Sequence, residues 1–567
     1  MHRRSTPTPT RTSRPLATGL AAVTLVLTLS GCIIAPHENG NAVTGIIPAP
    51  VEFVRGDGPA FALTEESRLV AAGEGAAAVA ETFAASARAA TGFALPVVEG
   101  EAEASDIALV VAEGESPGGE PEGYVLEAGE HGVRIGADTA AGLFRGTQSL
   151  RQLLPAEIER ADASAPPAGG WTVPEASVAD APRFPYRGAM LDVARHFFPV
   201  EDVLAYLDAI ALLKLNALHL HLTDDQGWRI EIESWPELTG IGASTSVGGD
   251  GGGFYTKADY RRIVEYAHER FITIVPEVDL PGHTNAALSA YPELNCDGIA
   301  RKPYEGIEVG FSSLCASPER AEATDRFLAD VTRELAEMTP GPWLHLGGDE
   351  SLATSHDDYL DLVRRMTAAA AATGKTVIGW HEMGASTELP SGTVGQYWSY
   401  VEAEPEASVL TNSFVEQGGT VILSPADVAY LDMKYVDDPQ GPLGGELGLQ
   451  WAKGPTTLDE AYGWEPVGIV HGLQEADILG IEAPIWTETL STLSEVEFMA
   501  FPRITAIAEI AWSPAGARDH EEFFTRVAWL GAHLDAMGVA YYPVRGVPWA
   551  VEPVGAGNAL PAGAASD

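Results

Sequence analysis

The sequence predicts an α/β protein in which a (β/α)8 barrel, the TIM-barrel architecture, follows a small α+β domain. From Pro185 onward, short apolar segments alternate with longer helical patterns, which is typical of βα units and a parallel sheet. Each segment runs into polar or aromatic residues, and in such barrels the carboxyl ends of the strands form the active-site face. The eight predicted strands are Gly188–Asp192, Ala217–Leu222, Ile272–Pro276, Trp343–Leu346, Val377–Trp380, Val394–Trp398, Thr420–Ser424 and Ile481–Trp486.

The first 31 residues are interpreted as a targeting segment rather than as part of the fold. A basic start that contains Arg3 and Arg14 leads into the uncharged apolar run 16–29, and Leu29–Cys32 supplies small residues before a cysteine. This order resembles a bacterial lipoprotein signal, which implies cleavage before Cys32, lipidation of its thiol, and a protein anchored to the cell membrane on the extracytoplasmic side. An ordinary signal peptide with an incidental cysteine is the alternative, and the apolar run is short for a membrane-spanning anchor.

The remaining chain divides into a tether, two domains and a tail. Residues 32–45 contain Pro36, Gly40 and two asparagines with little hydrophobic pattern, which predicts a tether. Residues 46–180 carry strand-like runs such as Ile107–Ala112 and helix-like runs such as Gly73–Ala90, and they predict the α+β domain. The barrel and its C-terminal helices take residues 181–550, where 202–213 predicts the first barrel helix, and residues 551–567 form a tail of disordered composition.

Charge excludes several classes of function. The chain has 34 Lys and Arg against 80 Asp and Glu, so its formal net charge is −46. Such a surface repels the phosphate backbone of a nucleic acid, which excludes nucleic-acid binding as a main function. Attachment to anionic lipid through basic patches is excluded for the same reason. No glycine-rich phosphate loop follows a predicted strand, which argues against an open nucleotide-binding sheet, and we expect no cofactor.

Two cysteines lie in the predicted barrel domain. Cys296 and Cys315 are 19 positions apart in a loop that contains glycine and proline. Export would place them in an oxidising compartment, where disulfides form and persist. We therefore expect a disulfide that closes this loop, and two buried free thiols are the alternative.

An acidic pair follows the fourth predicted strand. Gly347 and Gly348 lead into Asp349 and Glu350, and glycines allow the backbone to turn tightly and a ligand to approach closely. Adjacent side chains diverge, so one acid can be held protonated as a general acid while its neighbour stays ionised. Taken alone, the pair is a weak signal that favours a solvated turn.

Longer stretches around this pair carry a more specific signal. Together they resemble the catalytic barrel of glycoside hydrolase family 20, the exo-β-N-acetylhexosaminidases, over residues 185–515, whereas the first domain is similar only in position and size. The matching stretches, in chain order, are Arg187–Phe198, His219–Arg229, Pro276–His283, His345–Glu350, Gln396–Trp398, Tyr430–Asp432 and Trp486–Glu488.

The resemblance implies a retaining, substrate-assisted hydrolysis of terminal, non-reducing β-linked N-acetylglucosamine or N-acetylgalactosamine. In this class the acetamido oxygen of the substrate attacks the anomeric carbon and forms an oxazolinium ion. By resemblance, Glu350 is the general acid/base, Asp349 accepts the acetamide N–H, and Tyr430 binds the acetamide oxygen. An anion beside a developing cation stabilises the transition state more than the ground state, which fits Asp349.

Aromatic and polar residues at the strand ends suit a sugar. Indole rings stack on the C–H face of a pyranose and enclose an acetamido methyl group, although core packing explains any single tryptophan equally well. By resemblance, the sugar pocket contains Trp380, Trp398 and Trp486, with Trp451 at its mouth. Ring hydroxyls need polar partners, and the resemblance assigns two hydroxyls to Arg195, the 4-hydroxyl to Glu488 and the 6-hydroxyl to Asp432.

A supporting group is expected behind the acid. Asp279 and His283, four positions apart beyond the third strand, resemble a pair in which a carboxylate holds a histidine that tunes the pKa of Glu350. Asp224 is assigned to the same group. Without the resemblance, loop capping explains Asp224 and Asp279 equally well.

Two other functions fit parts of the sequence. His219 and His221 alternate on a strand and share a face, as in metal-dependent barrel hydrolases, but the other strand ends offer Trp, Tyr and Glu instead of further ligands. We therefore expect no metal. A catalytically dead, carbohydrate-binding surface lipoprotein would show a substitution at Asp349, Glu350 or Tyr430, and all three are present. The natural glycan, the gluco or galacto preference and the oligomeric state stay open.

Overall fold

Eight parallel strands close into a barrel in the computed structural model, which describes residues 45–163, 165–436 and 447–549. The predicted (β/α)8 barrel with a preceding α+β domain is confirmed. The targeting segment 1–31, the lipidation site Cys32, all but the last residue of the tether, and the tail 551–567 lie outside the described residues. Within the described ranges, no helix combines the length and the apolar character needed to cross a membrane.

The domain before the barrel is built on a mixed β-sheet. Its strands are β1 (Glu52–Arg55), β2 (Phe61–Leu63), β3 (Leu69–Ala72), β4 (Val97–Val98), β5 (Ile107–Val111), β6 (Tyr124–Gly129), β7 (Gly132–Ala137), β8 (Trp171–Val173) and β9 (Ala176–Asp180). Seven of them form one sheet in the order β1-β9-β6-β7-β5-β3-β4, and β2 pairs with β8. Helices α1 (Ala76–Thr91) and α2 (Ala140–Leu153) contact this sheet and cover the domain core.

The barrel strands follow in the predicted order. They are β10 (Tyr186–Asp192), β11 (Ala217–His221), β12 (Thr273–Glu277), β13 (Trp343–His345), β14 (Thr376–Trp380), β15 (Val394–Tyr397), β16 (Val421–Leu423) and β17 (Ile478–Ala483). Neighbours pair in parallel, and β17 pairs with β10 to close the barrel. Strand β17 begins and ends three residues before its prediction, and Pro484, which has no N–H, follows it directly.

Helices cover the outside of the barrel. The first, α3 (Val200–Leu212), begins two residues before its prediction, directly after Pro199, and buries Val203, Leu207 and Ile210. The others are α4 (Glu237–Gly240), α5 (Lys257–His268), α6 (Asn285–Ala290), α7 (Ala321–Met338), α8 (His356–Ala371), α9 (Pro405–Glu416), α10 (Ala426–Ala429), α11 (Leu458–Tyr462), α12 (Leu493–Ala500), α13 (Arg503–Trp512) and α14 (His520–Met537).

The first domain contacts the barrel near the starts of its strands. Lys214, which precedes β11, forms an ion pair of 2.8 Å with Asp180 at the end of β9, and both side chains are fully buried. Arg187, near the start of β10, forms an ion pair of 2.6 Å with Glu122. Both contacts lie at the amino ends of the strands, so this domain leaves the opposite, carboxyl face of the barrel open.

A disulfide joins Cys296 to Cys315. The expected bond is therefore confirmed, and the free-thiol alternative is wrong. A bond across 19 residues stabilises the folded state by about 3 kcal/mol in the chain-entropy description. The closed loop also contacts the strand-end segment after β11, because the Gln226 amide donates to the carbonyl oxygen of Gly306 at 2.9 Å.

Candidate active site

The acidic pair lies in a tight turn after β13. Gly347 and Gly348 have φ values of 64° and 107°, which favour glycine. A Cβ on Gly347 would lie 1.7 Å from an oxygen of Asp279, and one on Gly348 would lie 2.3 Å from the Met383 side chain. The two glycines therefore bring the backbone against neighbouring strand ends. Glu350 follows with a φ of 42°, a conformation that side chains other than glycine rarely adopt.

Asp349 is the buried member of the pair. Its exposed fraction is 9%, and its Oδ1 atom has no hydrogen-bond partner among the described residues. Burial raises the pKa of Asp349, the cationic His283 opposes this, and the like charges of Glu382 and Glu350 raise it further, to about 7. A carboxyl with this pKa gains most from a ligand that offers an N–H or a positive charge.

Glu350 lies in a different environment. Its side chain is 33% exposed, and its Oε2 atom is 3.5 Å from Nε2 of His283. The same Nε2 atom lies 3.5 Å from Oδ2 of Asp349. One imidazole thus contacts both carboxylates, while Glu350 alone reaches solvent, as a group that exchanges protons with a leaving group or water must do.

His283 donates its hydrogen bond to a different partner than the sequence suggested. Its Nδ1 donates to Oδ1 of Asp224 at 3.1 Å, and the other oxygen of Asp224 forms an ion pair of 2.8 Å with Arg195. Burial opposes protonation of His283, but Asp224, Asp279 and Asp349 outweigh it and hold its pKa well above the usual range. Asp279 therefore acts on His283 through charge, and burial beside Asp349 raises its own pKa well above normal.

Five aromatic side chains form a continuous wall beside the acidic pair. The ring of Trp380 lies 6.0 Å from that of Trp486, which lies 6.2 Å from Tyr430. Trp451 follows at 5.7 Å from Tyr430, and Trp398 at 6.0 Å from Trp451. Trp380 is almost fully buried, whereas Trp451 is 45% exposed, which places them at the inner end and the mouth of the wall. Such a wall offers flat apolar faces to a pyranose ring.

Three charged groups gather around Trp486, near the inner end of the wall. The Arg195 guanidinium lies over the Trp486 ring at 4.8 Å. Burial, together with the nearby charge of Glu488, raises the pKa of Asp432 well above its usual range. Each has a buried polar atom without a hydrogen-bond partner among the described residues: Arg195 Nε, Asp432 Oδ2 and Glu488 Oε2. Unpartnered buried polar atoms are rare in folded proteins, so these atoms are available for ligand hydroxyls.

One further carboxylate of the site, Glu382, was not predicted from the sequence. Glu382 lies in the 3₁₀ turn His381–Ala385 after β14, and its Oε2 accepts a hydrogen bond of 2.9 Å from the Trp398 indole. Burial raises the pKa of Glu382 to about 7 against the opposing Trp398 bond, and the charge of Glu350 adds to the rise. A signal was present, because Glu382 is only two positions beyond the predicted end of the fifth strand.

His219 and His221, the candidate metal ligands, are buried inside the barrel. The ring nitrogens of His219 contact Glu482 at 2.9 Å and Glu277 at 3.1 Å. Those of His221 contact Asp224 at 2.9 Å and Glu277. Both nitrogens of each ring are therefore engaged with carboxylates. The structure thus combines an apolar wall, free polar atoms for hydroxyls, and two acids in unlike environments, which suits the cleavage of a glycosidic bond.

Comparison with known proteins agrees with this chemistry. Residues 184–359 and 351–515 match the model of the glycosyl hydrolase family 20 catalytic domain, and residues 43–181 match domain 2 of the same family. A beta-N-acetylhexosaminidase of Cellulomonas fimi is 41% identical over 505 residues, which cover 89% of this chain and 97% of the relative.

Solved structures show the same relationship. The family 20 beta-N-acetylhexosaminidase of Streptomyces coelicolor A3(2) is 44% identical with a TM-score of 0.84, covering 90% of this chain and 99% of that one. A Streptomyces plicatus beta-hexosaminidase mutant in complex with its product GlcNAc is 42% identical with a TM-score of 0.83, covering 90% and 98%. From its barrel, its preceding domain and its strand-end residues, this chain belongs to glycosyl hydrolase family 20.

Proposed function

We propose that this hydrolase is an exo-acting β-N-acetylhexosaminidase that removes terminal, non-reducing β-linked N-acetylglucosamine or N-acetylgalactosamine from oligosaccharides, chitin fragments included, or glycoconjugates. The observation that carries the proposal is the contrast between consecutive acids: Asp349 is buried with a pKa of about 7, while Glu350 is partly exposed. The names of the relatives from Cellulomonas and Streptomyces support the same activity.

In the first step, the acetamido oxygen of the substrate attacks the anomeric carbon while the bond to the leaving oxygen breaks. Glu350 gives its proton to that oxygen, so the leaving group departs as an alcohol. Asp349 accepts the acetamide N–H, and its negative charge stabilises the oxazolinium ion that forms. Tyr430, which is 3% exposed and packs against Trp451 and Trp486, directs its hydroxyl to the acetamide oxygen.

In the second step, water attacks the anomeric carbon from the side that the leaving group vacated. Glu350, now ionised, takes a proton from this water, and the ring of the oxazolinium ion opens to restore the acetamide. Two inversions give net retention. Arg195, Asp432 and Glu488 hold the sugar hydroxyls through both steps, so the ring does not move while the roles of Glu350 exchange.

The first prediction separates the two acids. Glu350→Gln should slow chitobiose far more than an activated aryl glycoside, because a good leaving group needs little protonation. Asp349→Asn should slow both substrates by about 10²-fold or more, since ring closure is required for either leaving group. Rate constants of both variants on 4-nitrophenyl N-acetylglucosaminide and on chitobiose measure the difference.

A substrate variant serves as the control for this experiment. An aryl glycoside with a 2-hydroxyl in place of the acetamide has no internal nucleophile, so the wild-type enzyme should leave it intact. Efficient cleavage of this glycoside, or near wild-type rates for Asp349→Asn, would contradict the substrate-assisted mechanism.

The second prediction concerns the mode of attack. Arg195, Asp432 and Glu488 close the far end of the pocket around the 3-, 4- and 6-hydroxyls, so a longer chain cannot pass beyond the terminal sugar. A chitohexaose sample followed by chromatography should lose one unit at a time and accumulate N-acetylglucosamine from the first minutes. Early release of internal fragments would show that the far end is open.

The third prediction concerns pH. Asp349 works as an anion, so kcat/KM should fall as the pH drops through its raised pKa. Glu382→Gln removes a like charge that raises this pKa, and the acidic limb of the kcat/KM profile should therefore move to lower pH. The amide oxygen can still accept the Trp398 hydrogen bond, which keeps the wall in place.

Glu388→Gln provides the matched control, because Glu388 is an exposed carboxylate six positions further along the chain. Its profile should coincide with that of the wild type. If the acidic limb of the kcat/KM profile of Glu382→Gln stays where it is in the wild type, or moves to higher pH, Glu382 does not raise the pKa of Asp349.

We also propose that the enzyme is exported and anchored through a lipid on Cys32. The support is the order of the basic start, the apolar run 16–29 and the small residues Leu29–Gly31 before this cysteine. As a fourth prediction, Cys32→Ser should move the activity from the membrane fraction to the soluble fraction of the producing cell. Activity that stays with membranes in this variant would exclude the anchor.

A further inference from the structure

Glu277 is a buried carboxylate that the reaction scheme above does not use. It ends β12 inside the barrel with no exposed surface. One oxygen accepts a hydrogen bond of 3.0 Å from the Trp380 indole, and the other accepts from His219 at 3.1 Å and from His221. His345 adds a ring nitrogen 2.8 Å from the first oxygen. That nitrogen accepts from the Gly347 N–H, so three donors, Trp380, His219 and His221, bind the carboxylate, which offers about four lone-pair sites.

Hydrogen-bond geometry fixes the charge of the two bridging histidines. His219 lies between Glu277 and Glu482, and His221 lies between Glu277 and Asp224. Ionised carboxylates only accept hydrogen bonds, so each ring must present an N–H at both nitrogens and is an imidazolium. The pKa values agree with this charge. Burial lowers them, but the neighbouring carboxylates outweigh burial and raise the pKa of His219 to about 9 and that of His221 well above its usual range.

From Glu277 the contacts branch to two parts of the active site. One branch is direct and ends at Trp380, the inner end of the aromatic wall. The other passes through His221 to Asp224, which bonds Arg195 at 2.8 Å and His283 at 3.1 Å. Arg195 belongs to the hydroxyl end of the pocket, and His283 contacts both Asp349 and Glu350. Glu277, which does not reach the substrate, thus holds Trp380 of the aromatic wall directly. Through His221 and Asp224 it also holds His283, which contacts both acids.

We propose that Glu277 is a positioning residue that couples the sugar-binding wall to the acidic pair, by anchoring Trp380 and by holding His221 as an imidazolium against Asp224. The proposal rests on the functions proposed above for Trp380 and the acidic pair. It assigns a role to a residue that contacts none of the reacting atoms.

The effect of Glu277→Gln follows from donors and acceptors. An indole N–H can only donate, so the amide oxygen must face Trp380. The amide NH2 then faces His219 and His221, and each must release a proton to become an acceptor. His221 turns neutral, and Asp224 loses one of the cations that compensate its charge. One substitution, of nearly unchanged size, therefore disturbs both branches.

The fifth prediction measures this disturbance. For Glu277→Gln on chitobiose and on an aryl glycoside, we expect kcat/KM to fall about 10- to 100-fold, the usual effect of changing a residue that orients a reacting group through another. Both parameters should change: KM should rise through Trp380, and kcat should fall through Asp224 and His283.

Glu482→Gln is the matched control. Glu482 is also fully buried, and its hydrogen-bond partners among the described residues are His219, Tyr186 and Gln396, none of which belongs to the aromatic wall or the acidic pair. Both variants should lower the melting temperature, because each replaces a buried, paired charge. Only Glu277→Gln should change kcat and KM by more than about twofold; equal changes in the two variants would reduce Glu277 to a structural role.

A double-mutant cycle tests the branch to the wall. Trp380→Phe keeps an apolar ring but lacks the N–H that bonds Glu277. If Glu277 acts on KM through this bond, the fold-increase in KM of the double variant should be smaller than the product of the two single fold-increases. Independent sites would give the full product. A KM of the double variant that equals the full product would show that Glu277 does not act through its bond to Trp380.

A second variant keeps the proposal testable if Glu277→Gln does not fold. His221→Gln leaves the bond between Glu277 and Trp380 in place and breaks the branch to Asp224, so kcat should fall at least tenfold. Wild-type kcat in this variant would overturn the branch. Failure of the underlying function is distinguishable, because it would show as retained rates in Asp349→Asn whatever happens at Glu277 and His221.

Discussion

Neutralisation of charge inside a barrel that excludes water is the constraint on which the rest of the structure depends. An ionised side chain in such a place is stable only with partners of opposite charge and full hydrogen bonding. Branched aliphatic residues commonly fill the interior of this fold. Here Glu277 and Glu482 alternate with His219 and His221, so the charges of the core compensate one another. Glu277 and His221 are the members that bond residues of the active site, Trp380 and Asp224.

Towards the mouth of the barrel, the negative charges of the carboxyl groups are no longer fully balanced by positive partners. Asp349, Asp432 and Glu382 are carboxyl groups whose raised pKa values report too few cations nearby. A neutral sugar supplies what is missing, because its hydroxyls and amide offer hydrogen bonds and its anomeric centre becomes positive during the reaction. The site is therefore complementary to the cation that develops in the transition state rather than to the neutral substrate.

The sequence was informative wherever local pattern determines structure. Periodic apolar segments predicted the barrel, and the glycines before Asp349 predicted a close approach that the contacts with Asp279 and Met383 now explain. Partnerships across the barrel were not predictable, because tertiary packing alone brings together residues far apart in the chain. The spacing of Asp279 and His283 suggested a pair, yet the imidazole bonds Asp224. Glu382 was not predicted, because its raised pKa depends on burial and on neighbours from other strands.

The left-handed backbone at Glu350 and His283, with φ values of 42° and 52°, has a consequence for the evolution of this protein. Each such residue costs on the order of 1–3 kcal/mol of folding stability. Glycine at position 350 would relieve the strain but would remove the carboxyl that exchanges protons with the substrate. Selection for thermostability alone would therefore favour an inactive enzyme at this turn, so the sequence there records a compromise between folding and turnover.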